Sequence, residues 1–124
     1  IISENNHALA FLDAFPLSAG HTLVVPKLHR TKIQDMDRKY SSAVFSLTCK
    51  VAAIVETTIE VNASTIAIHN GKEAGQEIPH VHIHVIPRES GDGAGPVHSM
   101  FRNKPNVTNL DMASIVEEIK KSLT

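Results

Sequence analysis

Cysteine is nearly absent. Cys49 stands alone in 124 residues, so no disulfide framework can form within the chain, and a reducing compartment is expected, the cytoplasm first and the nucleus second. An excess of positive charge is lacking too: 12 Lys and Arg face 13 Asp and Glu, a formal net charge of -1. That balance excludes the basic field that holds long nucleic acid. Long hydrophobic runs are missing, with apolar stretches of only a few residues, and no basic segment followed by an apolar one opens the chain. Neither a nucleic-acid partner nor a membrane is therefore expected. The sequence opens on Ile1 without a methionine, which leaves an upstream segment as an expectation. No repeat or linker divides residues 1–124, which are read as one domain with a core over about 8–88 and a loop and helix after it.

Two short apolar runs come first, ALAFL (8–12) and HTLVVP (21–26), bounded by Gly20, Pro16 and Pro26. They read as buried strands of a hairpin. From Asp37 to Glu60 the apolar residues Tyr40, Val44, Leu47, Val51, Ile54 and Val55 recur at steps of three and four, which predicts a long amphipathic helix with Asn62 as its stop signal. STIAIH (64–69) and VHIHVIP (81–87) alternate as strands do. Ile66 and Ile68 share one face, opposite Thr65, Ala67 and His69; likewise Val81, Ile83 and Val85 oppose His80, His82 and His84. After Arg88 a Gly-rich segment leads to a final helix carrying Met112, Val116, Ile119 and Leu123, with Thr108 and Asp111 as a capping box.

Three histidines on one strand face, backed by an oily face, point to chemistry more than to a solvated surface. Imidazole is a common metal ligand, but no Asp, Glu or Cys lies at a ligand spacing from the triplet, so no metal is expected. The other option is nucleophilic catalysis. A ring with a reference pKa of about 6.5 is largely unprotonated at neutral pH, and it can form a covalent bond to an electrophilic phosphorus while neighbouring imidazoles stabilise the phosphate oxygens.

HVHIHVIPR (80–88), with NGKEAGQEIP before it and DAFPLSAGHTLVVPKLHR (13–30) upstream, resembles the histidine-triad family of nucleotide hydrolases and transferases, closest to its Hint-like nucleotide-binding branch. The resemblance implies an α+β fold: a five-stranded antiparallel sheet with one long helix and a C-terminal helix, assembled as a homodimer. It implies that His82 attacks the α-phosphorus of a purine nucleotide derivative, flanked by His80, which orients it, and His84, which contacts phosphate, with His21 as a supporting fourth histidine. Asp13 would receive the ribose hydroxyls. Gly75 and Gln76 would bring backbone N–H groups to the phosphate, and Glu77 would bind by its N–H with its carboxylate turned outward. His69 stands where the family usually has Asn or Gln, and Glu77 where relatives carry Ser or Thr. No cofactor is implied. The activity so implied is cleavage of nucleoside 5'-phosphoramidates (AMP or GMP derivatives) through a nucleotidyl-histidine. The alternatives are hydrolysis of dinucleoside polyphosphates and a non-catalytic nucleotide-binding module. Lys27, His29 and Arg88 read as surface residues.

Overall fold

In the computed structural model, which describes residues 1–123, five strands form one antiparallel sheet in the order β1-β2-β3-β5-β4. They are β1 (Ser3–Glu4), β2 (Ala8–Leu12), β3 (Thr22–Pro26), β4 (Ala63–Ala67) and β5 (Ile83–Arg88). The expected hairpin is β2 and β3, paired from Ala8↔Pro26 to Leu12↔Thr22. Helix α1 (Arg38–Ile59) connects β3 to β4. Asp37 caps it by accepting from the Tyr40 amide at 3.2 Å. It ends at Glu60, in the left-handed conformation with φ 62°, rather than at Asn62.

Period-two alternation assigns the two sheet faces. Ala8, Ala10, Val24, Ile83 and Val85 meet Val44, Leu47, Val51 and Val55 of α1 in the core, and each of these larger side chains contributes about 1.5–3 kcal/mol by leaving water. The 22 residues of α1 are long and apolar enough to cross a membrane by length and composition, yet their apolar stripe lies on the sheet. Gly20 makes close packing possible where the β2–β3 loop passes the end of the helix. Its φ is +88°, and a Cβ there would lie 2.7 Å from Cγ1 of Ile59.

Two expectations change. Ile66 lies beside Val85 on the core face, but β4 is an edge strand and Ile66 stays 45% exposed. β5 begins at Ile83 rather than Val81, because Pro26 at the end of β3 has no N–H to continue the ladder. The Val81 amide instead donates to the Arg30 carbonyl at 2.8 Å.

The chain's internal contacts fall into two compact units, one of Ile1–Asp92 and a second from Gly93 onward. The second contains a short 3-10 turn (Val97–Met100) and α2 (Asn109–Leu123). Thr108 and Asp111 form the expected reciprocal cap at 3.1 and 3.2 Å. The apolar residues of α2 are exposed, Met112, Val116 and Ile119 about half so.

Candidate active site

The face of the sheet away from α1 carries the chemistry. Register sets Phe11, Leu23, His84 and Ala67 side by side across β2, β3, β5 and β4. Over this row opens a cavity of about 730 Å³, with Phe11, Leu23 and Val25 as an apolar wall and Asp13, His21, His69, His80, His82 and His84 as a polar floor. The loop at its mouth holds Phe15 and Leu17 largely exposed. Alternation along 21–25 puts His21, Leu23 and Val25 on one face, a sequence signal for that wall.

Main-chain atoms fix the protons on these rings. The Leu17 amide donates to His21 Nδ1 at 3.0 Å, so a neutral His21 carries its proton on Nε2. That nitrogen lies 2.9 Å from His84 Nδ1 and donates to it, which places the His84 proton on Nε2. His82 Nδ1 lies 2.8 Å from the His80 carbonyl. A carbonyl only accepts, so Nδ1 bears the proton and His82 Nε2 keeps a lone pair. The His82 and His84 rings stand 5.2 Å apart, and His69 and His84 5.6 Å apart.

Electrostatics agree with neutral His84 and His21 rings. Burial, helped by the charges of His82, His21 and His69, pushes the His84 pKa down to about 4 against the opposing pull of Asp13. Burial also lowers His21, again opposed by Asp13. The Asp13 carboxylate lies 3.6 Å from His21 Nε2, farther than His84 Nδ1, so with His21 neutral this contact is a dipolar one and not an ion pair.

The remaining candidates divide. His80 lines the cavity, but its ring does not stand in file with the other two. Its Nε2 donates to the Pro26 carbonyl at 3.1 Å, and its Nδ1 meets His29 Nδ1 at 2.9 Å. It orients His82 by its carbonyl, and His29, read as a surface residue, is its ring partner. Gly75 and Gln76 also differ from expectation. Their amides are engaged inside the turn, with the Lys72 and Gly71 carbonyls at 3.0 and 3.2 Å. The buried Gln76 side chain accepts from the Gly71 amide at 2.8 Å and donates to the Thr31 carbonyl at 2.7 Å. Gln76 therefore braces the turn. Gly75, at φ +98°, passes close to His69, whose ring a Cβ would meet at 3.9 Å. Among the described residues the Glu77 amide has no partner.

The fold does bring a carboxylate to the triad, which sequence spacing did not indicate. Asp13, His21 and His84 offer ligand atoms within 4.8 Å of one another. The tautomers disfavour a metal there: Nδ1 of His21 accepts a main-chain N–H, so a cation on Nε2 would demand an imidazolate. His29 and His80 present two Nδ1 atoms to each other, half of the four ligands a structural zinc takes.

Residues 1–91 match the family described as HIT domain. An uncharacterized HIT-like protein of Methanocaldococcus jannaschii is 36% identical over 97% of this chain and 88% of its own length. A HIT-family structure from Bacillus subtilis superposes with a TM-score of 0.83 at 32% identity, covering 99% of this chain and 86% of that one. The diadenosine triphosphate hydrolase of Plasmodium falciparum, solved with cyclomarin A, does so at 0.69 and 31%, over 73% of this chain and 61% of that one.

Proposed function

Because the chain belongs to the HIT domain family, we propose that it is a nucleotide hydrolase in which His82 Nε2 attacks the α-phosphorus of a purine nucleoside 5'-phosphoramidate. The observation that carries this reading is the bond from His82 Nδ1 to the His80 carbonyl, which leaves the lone pair of a neutral imidazole available as nucleophile. His84 presents an Nε2–H for a non-bridging oxygen, which stabilises charge without giving up its proton. His69 adds a second imidazole near the phosphate. The apolar wall of Phe11, Leu23 and Val25 suits a base and Asp13 suits ribose hydroxyls. Displacement gives a nucleotidyl-His82, and water then releases the nucleoside monophosphate.

No cofactor takes part in this scheme, and the protein is read as a cytoplasmic homodimer, an assembly that light scattering measures. A second reading, hydrolysis of dinucleoside polyphosphates, is favoured by the likeness to the Plasmodium enzyme. The deciding experiment is a panel of adenosine 5'-phosphoramidate and diadenosine triphosphate run against wild type and His82→Asn. Turnover is expected only in the wild type, with AMP binding retained by the variant. Activity in His82→Asn would refute the nucleophile, and a strong preference for the dinucleotide would exchange the two readings.

A further inference from the structure

We propose that the Glu77 carboxylate selects the leaving group, favouring amines, which depart as cations, over phosphates, which depart as anions. The inference rests on the reading of His82 as the attacking group at an α-phosphorus. Its basis is the turn from Gly71 to Glu77. The amides of Gly75 and Gln76 and the whole Gln76 side chain are consumed in shaping that turn. Glu77 is the residue at its end whose amide and carboxylate are, among the described residues, bonded to nothing within it.

Glu77 also stands on a ridge. Together with Gly75 it borders both the histidine-lined cavity and a second one of about 610 Å³, walled further by Thr31, Lys72, Gln76 and Pro79. A nucleotide whose phosphorus meets His82 fills the first cavity. The group displaced from phosphorus then has the second to enter, past Glu77.

The chemistry of departure makes a charge at that ridge decisive. With a phosphoramidate, the Nε2–P bond forms as the P–N bond breaks. The electron pair of that bond goes to nitrogen, which takes a proton from solvent and leaves as an amine, an ammonium ion at neutral pH. Water then cleaves the Nε2–P bond and returns a proton to solvent. With a dinucleoside polyphosphate the pair goes to oxygen, and the leaving group is a nucleotide anion. A carboxylate beside the path stabilises the first and opposes the second. Lys72, on the wall of the second cavity, carries the opposite charge and works in the opposite sense, so the two residues are tested against each other.

The experiment measures kcat/KM for adenosine 5'-phosphoramidate and for diadenosine triphosphate in wild type, Glu77→Gln and Lys72→Met, with AMP affinity by calorimetry. Glu77→Gln is expected to slow the phosphoramidate and speed the dinucleotide. The ratio should move by at least about tenfold, the scale on which one unit charge acts on a departing ion across a protein surface, with AMP affinity unchanged or higher. An unchanged ratio, an equal loss on both substrates, or a larger shift of the ratio in Lys72→Met would overturn the assignment. Failure of the underlying reading is recognised separately, as turnover by His82→Asn.

Discussion

Acid should weaken this protein through His84 in particular. Its ring is held neutral from its ordinary 6.5 down to about 4, chiefly by burial and then by the neighbouring histidines. An unfolded chain takes up the proton near 6.5 and the folded chain only near 4. Between those values the unfolded state binds more protons, so the stability present above 6.5 is lost as pH falls toward 4. The full difference corresponds to at most about 3.4 kcal/mol at 1.36 kcal/mol per pH unit; the ring is only part-buried, and solvent screening brings this to about 1–2 kcal/mol. The assay is urea unfolding at about pH 7.5 and about pH 4.5 for wild type and His84→Asn. Asn keeps an acceptor for His21 and does not titrate, so the comparison isolates the His84 proton together with its coupling to His82, His21, His69 and Asp13. Wild type should lose about 1–2 kcal/mol more than the variant over this interval. Equal losses would refute the claim that burial holds the His84 ring neutral.

The supporting residues give further outcomes. His21→Leu removes the donor that sets the His84 tautomer and strands the Leu17 amide; kcat for the phosphoramidate should fall by at least about tenfold and stability by about 1–3 kcal/mol, read by kinetics and urea titration. Gln76→Ala leaves the Gly71 amide and the Thr31 carbonyl unpaired and should cost about 2–4 kcal/mol, with faster hydrogen exchange confined to 71–77. Gly20→Ala places a Cβ against Ile59 in a left-handed backbone and should destabilise by about 2 kcal/mol or more; a neutral effect in thermal unfolding would mean that the contact is looser than described.

Much of the fold was legible because its elements are local and periodic. The β2–β3 hairpin, the α1 stripe of Val44, Leu47, Val51 and Val55, and the Thr108–Asp111 cap each follow from spacing within one segment. The site was legible in its residue types and less so in its contacts. Asp13 reaches His21 only because the loop between β2 and β3 folds back, and His29 finds His80 across 51 positions. Strand periodicity put His80 in file with His82, but the missing N–H of Pro26 ended the ladder early and released that ring toward the Pro26 carbonyl. The resemblance implies a Gln76 N–H at the phosphate, whereas the turn engages that amide and buries the side chain, contacts that no local spacing encodes.

One feature of the site reaches beyond its residues. The atoms that decide which nitrogen of each imidazole holds the proton are the Leu17 amide and the carbonyls of His80 and Pro26. These are main-chain atoms, so any substitution at Leu17 other than proline leaves its donor in place, whereas a substitution at Pro26 would supply the N–H whose absence ends the ladder. The tautomers of these rings are thus written into the course of the chain, and descendants of this sequence can exchange many of the surrounding side chains without losing them.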